Sequence, residues 1–200
     1  MNQIVKFKNI SNKLITSETI KFTNTIYKCI SYPFFTNKKS YFNLFDMNMN
    51  VFINKHELKN NYLNVLKVIP FNNFKIITEI NKGYQILQDD LNRIKHILEL
   101  NGVHVNSIQF KYIHFSYCFI NEFYNQTLFL DELVQHYIET GNQENISKIT
   151  EKLNVFYNSF MKEINSSIQL KDYYKAAYIY NCLVFIHSIQ QKIQTNIKIS

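Results

Sequence analysis

Apolar residues recur at intervals of three and four from residue 55 onward, which is the spacing of one face of an α-helix. In residues 55–68 the apolar stripe consists of Leu58, Tyr62, Val65 and Leu66. Pro70 interrupts the pattern, and a second stripe follows at Phe71, Phe74, Ile77, Ile80, Tyr84 and Leu87. A third stretch, from residue 91 to about residue 100, ends at Asn101-Gly102, a helix stop signal. Residues 41–102 therefore form one small helical unit in our interpretation.

Three longer periodic segments follow a connector at residues 103–115. They cover about residues 117–139, 144–168 and 171–197, and the first of them stops at Gly141. Long helices joined by short turns pack as antiparallel neighbours, and each segment is too apolar on one face to be stable by itself. We predict an antiparallel three-helix bundle over residues 116–200 and an all-α protein.

Turn-forming residues are scarce along the chain. The 200 residues include three glycines and two prolines, too few for a β-sandwich or barrel with a turn every ten positions or so. Hydrophobic residues make up 46% of the chain, which is ample material for packed cores. Both observations favour a folded helical protein.

Positive charge is concentrated at the N-terminus. Residues 1–40 hold seven lysines and Glu18 as their one acid, which is +6 of the total charge of +7 and leaves +1 for residues 41–200. Binding to nucleic acid needs clustered cations on a folded surface, so we predict no nucleic-acid partner. Lysines mixed with hydroxyl and spaced apolar residues are typical of a mitochondrial targeting segment. We predict that residues 1–40 are such a leader, for a mitochondrion or a mitochondrion-derived organelle; a disordered lysine-rich tail is the alternative.

No pattern of catalytic or metal-binding residues is present in the sequence. The three cysteines are far apart and form no CxxC pair, and the six histidines lack a metal-ligand spacing. His136 and Glu139 lie three residues apart on one predicted helix, and we interpret them as a surface pair. Phosphate-binding loops need clustered glycines, and the three glycines of this chain are far apart. We predict no enzymatic activity, no metal and no cofactor, and no apolar run is long enough to span a membrane.

Four segments together resemble one protein family. They are Tyr41-Phe42-Asn43-Leu44-Phe45; Ile80-Asn81-Lys82-Gly83-Tyr84, where the family has Ile-Asn-x-Ala-aromatic; Leu91-Asn92-Arg93 through Leu100-Asn101-Gly102; and Leu130-Asp131-Glu132-Leu133. Their order and spacing are similar to those of HscB-type J-domain co-chaperones of iron-sulfur cluster assembly, and residues 173–189 resemble the last helix of that family. The resemblance implies a J-domain over residues 41–102 and a C-terminal bundle that binds the iron-sulfur cluster scaffold protein.

Members of that family present the scaffold protein to a DnaK-type chaperone and trigger its ATPase through a His-Pro-Asp loop. Here the corresponding loop reads Ile69-Pro70-Phe71-Asn72, without the imidazole and the carboxylate. An uncharged amide at Asn72 forms hydrogen bonds about half as strong as those of a charged group. The J-loop is therefore degenerate, and we expect little stimulation of the chaperone ATPase.

The resemblance also indicates where partners bind. The family's scaffold-binding residues correspond to Ile120, Tyr124, Leu128 and Phe185, which keep an apolar character. Packing of these four residues inside the bundle is the alternative interpretation. The family's basic chaperone-binding helix corresponds to the helix with Lys55, Lys59 and Lys67, although a solvated helix face explains these lysines as well.

Two other functions remain open at this point. A helical assembly subunit specific to an organelle, or a ribosome-associated subunit, would also account for the basic leader and the degenerate loop. Alternatively, the J-domain-like unit persists only as a packing element while the bundle still binds the scaffold protein.

Overall fold

The computed structural model describes residues 40–70, 73–105, 117–140 and 143–197, without the side chains of residues 117–127, 143 and 197. These ranges contain helices and turns and no strand. The helices are α1 (Tyr41–Leu44), α2 (Lys55–Lys67), α3 (Phe74–Gln88), α4 (Asp90–Leu100), α5 (Tyr117–Thr140), α6 (Gln143–Gln169) and α7 (Tyr173–Ile197). The predicted all-α class is confirmed, and each predicted helix begins and ends within three residues of an observed one.

The described residues divide into two compact units. The first contains the residues up to Met49 together with Ile53–Asp89, and thus helices α1 to α3. The second contains Asn50–Phe52 and the residues from Asp90 onward, and thus α4 and the bundle of α5, α6 and α7. The division lies between Asp89 and Asp90, ahead of the expected end of the J-domain-like region at residue 102. The functional assignment of the two parts stays a prediction.

Side chains cap the first two helices of the first unit. The Ser40 hydroxyl accepts a hydrogen bond from the Phe42 N–H at the start of α1. The Asn54 side chain accepts from the N–H groups of His56 and Glu57 at the start of α2, at 3.0 and 3.2 Å. Such caps satisfy backbone donors that have no partner within the helix and are each worth about 1 kcal/mol.

A close approach between α1 and α3 depends on Gly83. A Cβ atom placed on Gly83 would lie 2.5 Å from Cδ1 of Tyr41, so the aromatic ring occupies the space that any larger residue needs. The Tyr41 hydroxyl donates a hydrogen bond of 2.6 Å to Glu79, one turn earlier on α3. Burial and, to a smaller extent, the neighbouring Glu79 carboxylate raise the pKa of Tyr41 above its usual range.

Helix α2 packs against α3 through a second tyrosine. The rings of Tyr62 and Tyr84 are stacked with centroids 4.2 Å apart, and the Tyr62 hydroxyl donates to the Asn81 side chain at 2.9 Å. Leu58 and Val65, on the same stripe of α2 as Tyr62, are buried. The apolar stripe predicted for this helix is therefore its packed face.

The second unit contains the chain's sole arginine, Arg93 of α4, with 2% of its surface exposed. Its Nε donates to the Val51 carbonyl at 2.8 Å, and one terminal nitrogen pairs with the Asp90 carboxylate at 2.7 Å. Buried charges persist in proteins when they are paired and hydrogen-bonded in this way. Arg93 thereby ties Asn50–Phe52 to α4.

Helix α4 ends with the predicted stop signal. Gly102 has a φ of 83°, and the Val103 N–H donates to the Leu98 carbonyl at 2.9 Å. This geometry satisfies a carbonyl of the last turn and favours glycine at the left-handed position. Ile94, Ile97 and Leu98 are fully buried, and α4 packs against α7.

The bundle core consists of apolar residues at helical spacing on all three helices. Its buried members include Leu130 and Val134 of α5; Ile146, Ile149, Leu153, Phe160 and Ile164 of α6; and Ala176, Ala177, Leu183, Ile186 and Ile189 of α7. Helices α6 and α7 have the most extensive contact. The predicted bundle is thus present, with α6 and α7 as its most closely packed pair.

The turn between α6 and α7 differs from its predicted form. Helix α7 begins at Tyr173 and not at residue 171, because Lys171 adopts a φ of 61°. The Asp172 side chain then accepts a hydrogen bond from the Lys175 N–H at 3.1 Å and caps α7. A left-handed residue usually ends a helix, so the two helices cannot run on without a break.

Candidate partner-binding site

Polar pairs fix the relative direction of the bundle helices. Gln190 of α7 donates to Asn154 of α6 at 2.9 Å, and Lys175 of α7 pairs with Glu163 of α6 at 3.0 Å. Between the two pairs the residue number rises along α7, from 175 to 190, and falls along α6, from 163 to 154, so α6 and α7 are antiparallel. Helix α5 ends three residues before α6 begins, a connection that also makes neighbouring helices antiparallel. Helices α5 and α7 therefore run parallel.

One ion pair shows the register between these two parallel helices. The Lys192 ammonium lies 2.7 and 2.8 Å from the two carboxylate oxygens of Asp131. Seven residues earlier on the two helices are Tyr124 and Phe185. Seven residues span about 10.5 Å and return to nearly the same helix face. The backbone positions of Tyr124 and Phe185 are thus level with each other, two turns from the ion pair.

The structure describes two of the four predicted scaffold-binding side chains. Leu128 is 50% exposed, whereas Leu130 and Val134 of the same helix are buried in the core. Phe185 is half-buried and is next to Val184, which is 39% exposed. The side chains of Ile120 and Tyr124 lie outside the described residues. Leu128 in particular presents apolar surface beyond the bundle core, and the role of all four residues in binding stays a prediction.

The predicted chaperone-binding lysines lie on the outer surface of α2. Lys55, Lys59 and Lys67 are all exposed, and the Lys67 ammonium is 3.5 Å from the Asn64 side chain. Leu58 and Val65, on the packed side of the helix, are buried. The three lysines have the exposure that contact with an acidic partner requires, and a solvated helix face accounts for the same exposure.

The predicted J-loop connects α2 with α3. Ile69 is 6% exposed, Pro70 is exposed, and the Asn73 N–H donates to the Pro70 carbonyl at 3.0 Å. Phe71 and Asn72 lie outside the described residues. Ile69, which the sequence resemblance aligns with the histidine of the His-Pro-Asp loop, is thus a buried apolar side chain, and the degeneracy of the loop stays a prediction.

The described side chains contain few groups suited to acid-base or metal chemistry. Burial raises the pKa of the Cys182 thiol to about 11, so the thiol is protonated and weakly nucleophilic at neutral pH. Burial lowers the pKa of His96, with the nearby Glu99 acting in the opposite direction. Within the described ranges no three His, Cys, Asp or Glu residues group to hold a metal ion. No described helix is long and apolar enough to cross a bilayer.

Sequence reasoning missed the significance of Asp131 and Lys192. Asp131 is part of the motif that carries the resemblance, but its partner is 61 residues away on another helix. A heptad alignment of the first and last bundle helices as parallel neighbours would have suggested the contact.

Sequence reasoning also missed an open groove between α5 and α6, bordered by Lys148 and Lys152. Two lysines four residues apart among apolar positions were the available signal.

A known structure shares this arrangement of helices. The chain is similar to "Chaperone HscB from Vibrio cholerae" with a TM-score of 0.62 and 16% identity, over 78% of this chain and 96% of that chain. No protein-family model and no curated protein matches the sequence. Likeness at this identity concerns the fold, and the fold implied by the sequence motifs is confirmed: the chain has an HscB-like, all-helical fold.

Proposed function

We propose that this protein is a non-enzymatic co-chaperone of iron-sulfur cluster assembly. In this proposal the bundle of α5, α6 and α7 binds the cluster scaffold protein through Ile120, Tyr124, Leu128 and Phe185. The protein then presents the scaffold to a DnaK-type chaperone. The HscB-like fold and the ordered sequence motifs support the proposal together.

The observation that carries the proposal is the register between α5 and α7. The Asp131–Lys192 ion pair aligns Tyr124 with Phe185, and Leu128 adds half-exposed apolar surface one turn further along α5. Protein interfaces depend on a few apolar and aromatic anchors grouped in one patch. Tyr124 and Phe185, selected by resemblance to the family, occupy level positions on two parallel helices, which supports a shared binding patch.

The degenerate loop limits what the first unit does in this proposal. The lysines of α2 are exposed and would face the acidic surface of a chaperone, but the imidazole and carboxylate of the loop are missing. We propose that the chain recruits the chaperone with little direct stimulation of ATP hydrolysis. The basic residues 1–40 support delivery to a mitochondrion or a mitochondrion-derived organelle, and a fusion of this segment to a fluorescent protein that stays in the cytosol would refute that destination.

Calorimetric titration of the full chain with the organism's iron-sulfur scaffold protein tests the binding step. We expect a micromolar or lower Kd, weakened at least about thirtyfold in a Tyr124→Ala, Phe185→Ala variant, since truncating a central anchor costs about 2 kcal/mol or more. Val155→Ala is the matched control, because Val155 is apolar and 68% exposed on α6. Absence of binding by the folded wild-type chain would refute the co-chaperone function. Salt-sensitive retention of RNA in its place would favour a ribosome-associated subunit.

Single-turnover ATP hydrolysis by the DnaK-type chaperone tests the second step. We expect the wild-type chain to accelerate hydrolysis little, and an Ile69→His, Phe71→Asp variant to accelerate it more. Because Ile69 is buried, circular dichroism must first establish that the variant remains helical. Strong stimulation by the wild-type chain would contradict the proposed loss of triggering. A folded variant that stimulates no more than wild type would indicate that the first unit serves only in packing.

A further inference from the structure

Helices α5 and α6 border an open groove that the proposed function does not use. Its cavity volume is about 480 Å³, and its walls include the apolar side chains of Phe129, Leu133, Ile149 and Phe156. Phe129 is 59% exposed, whereas Ile149 forms part of the buried floor. We call this feature the lysine-rimmed groove, since Lys148 and Lys152 lie along its α6 side.

The rim of the groove is positively charged. Lys148 and Lys152 are one helical turn apart and exposed, and no acidic side chain belongs to the described groove lining. Lys148 pairs with Glu144 at 2.7 Å, but both partners are at least 65% exposed, and such surface pairs exchange readily for another carboxylate. No carboxylate of the described residues lies within 4 Å of the Lys152 ammonium.

The lysine-rimmed groove lies on a different side of α5 from the predicted scaffold-binding residues. Each residue advances a helix by about 100°, so Leu133 is about 140° and Tyr137 about 180° around the axis from Leu128. Both Leu133 and Tyr137 line the groove, and Leu128 does not. One helix can therefore contact two partners at once.

We propose that the lysine-rimmed groove binds an acidic amphipathic helix of a partner protein. The helix would place apolar side chains at helical spacing against Phe129, Leu133 and Phe156 and set its carboxylates over Lys148 and Lys152. The groove follows α6 from Asn145 to Phe156, about 16 Å or three turns, which suits anchors spaced at i, i+4 and i+7.

Charge complementarity selects this occupant over the chain's own N-terminal segment. Residues 1–40 carry a charge of +6 and would be repelled by two lysines. An acidic partner gains attraction from both lysines, while its apolar face covers the exposed Phe129. The inference is independent of the proposed scaffold-binding site, which belongs to another face.

Two synthetic helical peptides of 18 residues provide the test. Both carry leucines at the same i, i+3, i+4 and i+7 positions, and they differ only in having glutamate or lysine at the flanking positions. Fluorescence anisotropy with the full chain should give at least about tenfold tighter binding of the glutamate peptide. The preference should shrink as ionic strength rises.

Matched variants separate the groove from the overall charge of the protein. Lys148→Glu with Lys152→Glu should weaken the glutamate peptide at least about tenfold, whereas Lys162→Glu, an exposed lysine of the same helix outside the groove, should change it little. Phe129→Ala should weaken binding, and Val155→Ala, also exposed and apolar, should leave it unchanged.

Several results would overturn the proposal. One is equal binding of the two peptides, and another is equal loss of binding in the Lys162→Glu control. Binding of dodecanoate at the groove without any peptide preference would assign the site to small anionic amphiphiles. Self-association in sedimentation experiments that disappears in the Lys148→Glu, Lys152→Glu variant would assign the groove to a second copy of this chain.

Discussion

Replacing Gly83 with alanine should destabilise the first unit, although alanine is the better helix former. In a helix interior this substitution normally stabilises by about 1 kcal/mol. Here the new Cβ would lie 2.5 Å from Cδ1 and 3.0 Å from Cε1 of Tyr41, well inside the carbon–carbon optimum of about 3.5–4.0 Å. The ring would have to move, and its hydroxyl would then lose the 2.6 Å bond to Glu79.

The opposing contributions can be compared directly. Overpacking a filled space costs about 1–3 kcal/mol, and a hydrogen bond to a charged group contributes about 1.5–3 kcal/mol. Against a propensity gain of about 1 kcal/mol, the net effect of Gly83→Ala is a loss of about 1.5–5 kcal/mol. The family that the sequence resembles has alanine at this position, so the residue typical of that family should destabilise this chain.

Hydrogen exchange of the backbone amides of α3 reports the opening free energy of this helix locally. This opening free energy should fall in Gly83→Ala. It should rise by about 0.5–1 kcal/mol when the same change is made in a Tyr41→Ala background, where the ring is absent. The double-mutant cycle therefore predicts a coupling above about 2 kcal/mol. Gly83→Ala that stabilises α3 equally in both backgrounds would refute the argument.

Three further predictions concern the second unit, each measured by urea unfolding followed by circular dichroism. Arg93→Lys should cost about 2–4 kcal/mol, since one ammonium lacks the forked geometry that reaches both the Val51 carbonyl and the Asp90 carboxylate; a loss below about 1 kcal/mol would contradict this. Lys171→Gly should stabilise by about 0.5–1 kcal/mol because φ is 61° there, and a loss would argue against the left-handed turn. Burial raises the pKa of Cys182 from 9.0 to about 11. Between pH 9 and 11 the thiol loses its proton in the unfolded chain but keeps it in the folded chain. The stabilisation that the buried thiol provides is therefore complete below pH 9 and disappears between pH 9 and 11. Over that interval the free energy of unfolding should fall by about 2–3 kcal/mol less in Cys182→Ala than in the wild-type chain, and an unchanged pH profile would refute the raised pKa of Cys182.

The helices were predictable because their apolar positions are dense and regular. The stripe of Leu58 and Val65 became the packed face of α2, and Gly102 ended α4 in a left-handed conformation as its sequence position suggested. The start of α7 was predicted less accurately, because Lys171 adopts a left-handed conformation that is more typical of glycine and its side chain gives no sign of this. Local patterns thus identify helices better than the turns that join them.

Contacts between distant residues could not be derived from local patterns. The sequence offers no reason for Arg93 to meet the Val51 carbonyl 42 residues earlier, or for Asp131 to meet Lys192. Such pairs depend on how whole helices pack and on the register that packing imposes. The groove between α5 and α6 has the same origin, as its walls come from two helices whose separation is a property of the bundle.

The link between Arg93 and Val51 has a consequence for the order of events during synthesis. Asn50–Phe52 leave the ribosome about forty residues before the guanidinium that holds them. Until α4 emerges, this tripeptide lacks its native hydrogen-bond partner and remains open to chaperones and proteases. A fragment that begins after Phe52 contains Arg93 without its carbonyl acceptor, and a fragment that ends at Asp89 contains the carbonyl without its donor. No single cut of this chain separates the complete second unit from Ile53–Asp89, which lie between its two parts in the sequence.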